Sequence, residues 1–152
     1  MASYRHLART CVMQTIFTTE FRKCDPIKVL ESMLHEFAPK LTEVDFAFTT
    51  LEGVIANKKK IVKVIEKYAP EWPIDKIARI DRAILEIGIY EIVFSEDIPP
   101  IVAINEAVEI AKHFGDDNSP KFINGVLSSV MKKYDGKLSK TGGKDKSKVQ
   151  KS

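Results

Sequence analysis

Apolar residues recur along this chain at three- and four-residue intervals, the spacing of one helical face, and nowhere alternate over a strand's length. The pattern predicts about seven helices. The first runs from a Ser3 cap to about Arg22, with Leu7, Ala8, Cys11 and Val12 on one side. Asp25-Pro26 opens a second, carrying Ile27, Leu30, Leu34 and Phe37, and Pro39 stops it. Thr42, with Asp45 three residues on, forms an N-cap pair leading into Val44, Ala47, Phe48, Leu51 and Ile55. Asn57-Lys58-Lys59-Lys60 marks a break before a short helix bearing Ile61, Val64, Ile65 and Tyr68. The lysine triplet reads as a solvated helix end. Pro70 and Pro73 punctuate the next connection, with Trp72 over the core edge. A long helix follows from about Ile74 to Phe94, with Ile77, Ile80, Ile84, Ile87 and Tyr90 inward, and Asp97-Ile98-Pro99-Pro100 ends it.

The stretch from Pro99 to Tyr134 reads as two amphipathic helices joined by a polar turn. Ile101, Ile104, Val108 and Ala111 form one stripe, and Phe122, Ile123, Val126, Leu127, Val130 and Tyr134 the other. In the turn, Gly115 suits a left-handed residue past a helix end, Asn118 or Ser119 can cap, and Pro120 fits a first helical position. Lys121 then stands beside unpaired backbone N–H groups, a natural attractor of anions. The competing reading is that Asn118 or Ser119 and the aspartates at 116 and 117 satisfy those donors locally.

A chain of 152 residues with 44% hydrophobic residues suffices for one core. No apolar run approaches the ~20 residues of a membrane span, and MASYRHLARTC has no apolar signal core, so a soluble, cytoplasmic protein is expected. Cys11 and Cys24 suggest neither a disulfide framework nor a metal site, and Cys11 sits on the apolar face. The net charge of +3 hides an asymmetry. Residues 136–152 hold six lysines and one aspartate, leaving 18 basic against 20 acidic side chains in residues 1–135. The expected organisation is one helical domain over 1–135 and a disordered, lysine-rich tail over 136–152. Any nucleic-acid site must then be a local patch.

Arg5, His6 and Arg9 fall within an arc of about 100° on the first helix, continued by Met13 and Phe17. Cations followed by an exposed ring suit single-stranded nucleic acid; the alternative is a solvated face with Phe17 turned inward. Catalytic, metal and cofactor signals are absent. His6, His35 and His113 are dispersed, no glycine-rich phosphate loop precedes the tail, and Glu52 and Glu86 read as ordinary helix-surface charges. Asn105 and Asn124, on facing helices, read as interhelical hydrogen-bond partners or as RNA contacts, and Gly125 as a point of close helix packing.

Three blocks then make the chain recognisable: Ala8 to Gln14, Ile80 to Leu85 with Tyr90-Glu91, and Ile98-Pro99 with VAINEAVEIAK and KFINGVL. Across residues 3–134 it resembles the bacterial NusB family of transcription antitermination factors. The resemblance implies an all-α fold of two packed three-helix bundles and a noncatalytic role without cofactor. It implies binding of single-stranded boxA RNA in nascent ribosomal RNA with a small-subunit ribosomal protein, NusE, the assembly then joining elongating RNA polymerase. On it, Arg5, His6 and Arg9 match the family's arginine-rich first helix, and Asn118, Lys121, Phe122 and Asn124 match or adjoin the opening of the last helix. Together they would form one groove for phosphates. Leu7, Phe17 and Glu86 depart from commoner basic, tyrosine and arginine residues of the family. The expected protein-partner face is the exposed side of the long helix around Asp81 and Glu91, with Phe17 near it; acidic residues suit a basic ribosomal protein. A homodimer of the free chain is compatible with this reading. The alternatives are a relative of the RNA-binding domain of RNA cytosine methyltransferases and a helical scaffold without RNA.

Overall fold

The computed structural model describes residues 2–20, 22–37, 43–69 and 73–141, with side chains placed for 4–20, 22–36, 43–69 and 73–134. It contains α1 (Ala2–Glu20), α2 (Pro26–Phe37), α3 (Val44–Ala56), α4 (Lys58–Tyr68), α5 (Arg79–Ile89), α6 (Pro100–Phe114) and α7 (Ser119–Thr141), and no strand among the described residues. The expected all-α architecture is the observed one. The Pro39 stop, the Thr42 cap, the Pro70 and Trp72 connection and residues 142–152 lie outside the described residues. Two boundaries differ from expectation: α1 starts at Ala2, so Ser3 lies inside it, and α7 continues past residue 135 to Thr141.

Local chemistry sets the other ends. Ile27 donates its N–H to Asp25 Oδ1 at 3.0 Å, so Asp25 caps α2 and Pro26 occupies its first position. Asn57 breaks α3 from α4: its Nδ2 donates to the Gly53 carbonyl at 2.8 Å, while its own carbonyl accepts from Ile61 N–H at 2.9 Å.

The long helix expected from Ile74 to Phe94 is three pieces. Ile74–Lys76 form a 3₁₀ turn, and Ile77 and Ala78 are extended (ψ 133° and 138°) before α5 begins. Isoleucines three apart lie on one face in a 3₁₀ turn as well as in an α-helix, so the spacing could not separate them. At its other end α5 passes into a π turn, Tyr90–Phe94, closed by Ser95 N–H on the Tyr90 carbonyl at 3.1 Å.

Every residue from Ala83 to Ile89 is buried, which makes α5 the interior helix of the molecule. α1, α2 and α3 pack as one group of three, α5, α6 and α7 as the other; α5 also lies against α1 and α3, and α4 leans on α5 and α7. One apolar cluster runs through both groups, from Ala8, Leu30 and Leu51 to Ile84, Ile110 and Leu127.

Two glycines permit that approach. A Cβ at Gly53 would collide with the Tyr90 ring, and one at Gly88 with the buried Leu127 side chain. Gly53→Ala is expected to destabilise by about 1–3 kcal/mol, because a rigid ring must move. Chemical denaturation of the two proteins measures it, and Tyr90→Leu should recover part of the loss.

Candidate nucleic-acid interface

The three basic residues of α1 lie together as expected, but each faces a carboxylate. Arg5 Nε donates to Glu43 Oε1 at 3.3 Å, and its guanidinium lies over the Phe46 ring, 4.4 Å from the centroid. His6 Nδ1 and Glu106 Oε1 are 2.8 Å apart. Arg9 Nε donates to both oxygens of Glu91, at 2.9 and 3.2 Å, and its Nη1 stands 3.5 Å from Glu106. Arg9 is 3% exposed and Glu91 1%. The π turn carries Glu91 inward to this position. Burial pushes the Glu91 carboxyl above its ordinary range, opposed by Arg9, with Glu106 adding to the rise and Arg5 opposing it. The assignment of Arg9 to a phosphate is therefore corrected: it is an interior group whose partner is Glu91.

The opening of α7 is arranged differently. Asp116 Oδ1 accepts the N–H groups of Asn118 (2.8 Å) and Ser119 (3.1 Å), while Asp116 N–H donates to Ser119 Oγ at 3.0 Å. The cap is thus Asp116 with Ser119, and the exposed Asn118 side chain makes no hydrogen bond among the described residues. Gly115 is extended (φ −92°, ψ −172°) rather than left-handed. Its missing side chain instead gives room to Ser119, whose Oγ and Cβ a Cβ would strike.

Beside this turn lies an open cleft of ≈ 770 Å³ between the end of α4, the 3₁₀ turn and α7. Asn118, Lys121 and Phe122 line it, with Tyr68, Lys76, Asp81 and Gly125. Lys121 is exposed and Phe122 half-buried. Among the described residues Lys58 is the lysine found in ion pairs, so Lys76 and Lys121 on the lining, and Lys67 beside it (5.5 Å over the Tyr68 ring), make none, while Asp81 and Asp116 place two carboxylates on the same lining. Asn124 faces away, near Ser128 Oγ at 3.4 Å, and no Asn105–Asn124 bond occurs among the described residues. Gly125 is exposed and a Cβ there would meet nothing within 4 Å, which corrects the expectation of close packing. A helical glycine costs about 1 kcal/mol relative to alanine, so here the cost goes without a packing return.

The expected partner face is also corrected. Asp81 (7% exposed) and Glu91 are buried, and Phe17 is half-buried. Helical periodicity places a residue on a face but does not say which faces a central helix covers. Glu86, expected on the surface, is fully buried: Lys58 Nζ donates to both its oxygens at 2.9 Å and Arg82 Nε to one at 3.1 Å. Asp81 Oδ1 is buried without a hydrogen-bond partner. Burial pushes its carboxyl above the ordinary range; the Ser119 hydroxyl opposes this and the Asp116 charge adds to it.

Arg9 and the opening of α7 lie toward opposite ends of α5. Arg9 meets Glu91 at one end of α5, and Ser119 meets Asp81 at the other, roughly 15 Å away at 1.5 Å per residue. Sequence reasoning missed Glu43, Phe46 and Glu106 as partners of the α1 cations, and Tyr68, Lys76 and Gly125 as walls of the cleft. No group of three or more His, Cys, Asp or Glu among the described residues is placed to hold a metal ion, and none of their helices is long and apolar enough to cross a membrane.

Comparison with known proteins places this geometry. The NusB family profile matches residues 6–132. The transcription antitermination protein NusB of Bacillus pumilus is 42% identical over 127 residues, covering 83% of this chain and 93% of the relative. That of Dehalococcoides mccartyi is 39% identical over 132 residues, covering 87% and 92%. The T. maritima NusB structure superposes with a TM-score of 0.77 at 36% identity over 84% of this chain and 90% of that one. A chain from the crystal structure of antitermination factors NusB and NusE in complex with double-stranded RNA gives 0.79 at 25% identity over 88% and 100%. The class so defined is that of the helical antitermination proteins, which are not enzymes. The chain belongs to the NusB family.

Two outcomes follow from the buried charges. Arg9→Ala leaves Glu91 buried and unpaired, so it should cost about 3–5 kcal/mol in stability, and the double variant with Glu91→Leu should recover much of it; thermal or urea unfolding reads both. Asp81→Asn should stabilise by about 1 kcal/mol at neutral pH. A raised folded-state pKa penalises the ionised form, so the gain should shrink as pH falls through the carboxylate range and Asp81 takes up a proton in the parent protein. Melting temperatures measured from pH 7 downward test the sign.

Proposed function

We propose that this chain binds single-stranded boxA RNA of nascent ribosomal RNA together with the ribosomal protein NusE, and that the assembly acts in the cytoplasm on elongating RNA polymerase. The observation that carries the reading is the contrast between the two basic groups. The basic residues of α1 are engaged by carboxylates, while the side chains of Asn118 and Lys121 at the opening of α7 have no hydrogen-bond or ion-pair partner among the described residues. Beside them Phe122 and Tyr68 offer rings for unpaired bases. A cation, an amide and flat rings at one helix opening are what a single strand requires: charge for phosphate, donor and acceptor for a base edge, a surface for stacking.

The division of labour with a partner follows from the same contrast. With Arg9 interior, and Arg5 and His6 paired in half-buried positions, the cationic surface for RNA is small, and NusE supplies the rest. Family membership supports this, since a relative of matching fold has been crystallised with NusE and RNA. When NusE is absent, association of two copies over the same face is the expected competitor.

Fluorescence anisotropy with boxA RNA, with and without NusE, tests the reading. Affinity should be higher for the heterodimer. Lys121→Ala should weaken binding and reduce the slope of log K against log salt by about 0.7, the loss of one single-strand phosphate contact. Unchanged affinity and slope at every salt concentration would remove Lys121 from the RNA site.

A further inference from the structure

The cleft beside α7 has an acidic wall as well as a basic rim. Asp81 is 7% exposed and borders the cleft, yet its Oδ1 has no hydrogen-bond partner. Buried acceptors are paired as a rule, so a carboxylate oxygen buried without a partner just behind the wall of a cleft calls for a donor, which the cleft can bring to it once the side chain turns. Rotation about its Cβ–Cγ bond is soft, which lets Oδ1 turn toward such a donor. Gly125 borders the same cleft in mid-helix, where a Cβ would touch nothing. Its missing side chain relieves no close contact and widens only the cleft. Phe122 and Tyr68 are half-buried rings on the lining, and Lys76 and Lys121 stand exposed at the rim without ion pairs among the described residues.

We propose that this cleft takes one unpaired guanine base, its N1–H and N2–H edge donating to Asp81, its ring against Phe122 and Tyr68, and Lys76 and Lys121 on the adjoining phosphates. The inference rests on the RNA-binding reading and adds a base preference to it. A carboxylate is an acceptor only. Guanine presents two adjacent N–H donors on its Watson–Crick edge, whereas adenine, cytosine and uracil each set an acceptor beside the donor. An arginine from a protein partner would offer two parallel N–H groups as well, but Lys76 and Lys121 at the rim have no ion pair among the described residues and would repel it, while Asp116 on the same lining is engaged in capping α7.

The test uses the full chain, alone and with its ribosomal partner, and labelled uridine-rich oligomers carrying one guanosine, inosine or adenosine at a fixed position. Guanosine should bind about tenfold more tightly than adenosine, with inosine, which lacks the N2 amino group, in between. Asp81→Asn should erase the guanosine–adenosine difference. Gly125→Leu should weaken guanosine binding several-fold while melting no lower than the parent, an independent test that leaves Asp81 in place. Titration with free GMP separates the sources: Asp81-dependent binding of GMP points to a mononucleotide, and binding of the oligomer alone to a strand. Equal affinity for the three oligomers would overturn the base pocket while leaving RNA binding intact. Loss of the ribosomal partner on Asp81→Asn, with base preference unchanged, would assign the cleft to an arginine. Absence of RNA binding by the parent in both forms would overturn the RNA reading and the pocket with it.

Discussion

The ion pair between Arg9 and Glu91 is the constraint on which the rest of the molecule turns. Both side chains are almost fully buried, and they join α1 in one helical group to the π turn that ends α5 in the other. Removing two charges from water costs several kcal/mol each, which their attraction offsets only in good geometry. Such a pair adds little net stability over apolar packing. Its effect is discriminating: any arrangement that separates the two groups leaves a bare charge in the interior. The π turn carries Glu91 to it, and α6 approaches it through Glu106.

That constraint redistributes the charge of the protein. Cations of α1 that would otherwise face solvent are matched by Glu43, Glu91 and Glu106, and the Lys58–Glu86–Arg82 group does the same for α4 and α5. Lysines without an ion pair among the described residues are spread over α2, α4, α6 and α7, and two of them, Lys76 and Lys121, line the cleft. The central helix acts as a spacer between an end whose basic groups are paired with carboxylates and an end where Lys76 and Lys121 stand without ion pairs among the described residues.

Most of the fold was legible in the chain because it rests on local signals. Apolar stripes at helical spacing marked α2, α3, α6 and α7, Asp25-Pro26 and Asn57 marked helix ends, and the sequence blocks at 80–91 and 98–127 carried the family. The site was less legible, for identifiable reasons. Arg9, Asp81, Glu86 and Glu91 look like surface charges when a helix is assumed to have a solvent side, and α5 has almost none. Glu91 points inward through a π turn that no periodicity announces, since one inserted residue shifts every later side chain by about 100°. The partners of Arg5 and His6 lie 38 and 100 residues away, a separation that local pattern cannot bridge. Gly125 was misread because a glycine in a helix fits close packing and open space equally well until the neighbours are known.

The distribution of satisfied and unsatisfied polar groups separates the two ends of α5 once more. At the Glu91 end every buried side-chain nitrogen and oxygen among the described residues has a partner, and the groups hold one another in place. At the Asp81 end a buried carboxylate oxygen lacks one, a mid-helix glycine exposes backbone without a packing reason, and Asp116 with Ser119 performs the capping that frees the Asn118 side chain. Each of these three features lowers stability or forgoes an available bond, and all three border the same cleft. Departures from local consistency that cluster in space, on a scaffold otherwise well satisfied, are expected where a surface is shaped for a ligand rather than for folding. The free energy forgone there is what a bound base can restore: a donor for the carboxylate, a ring for the open wall, and a phosphate for the lysines at the rim.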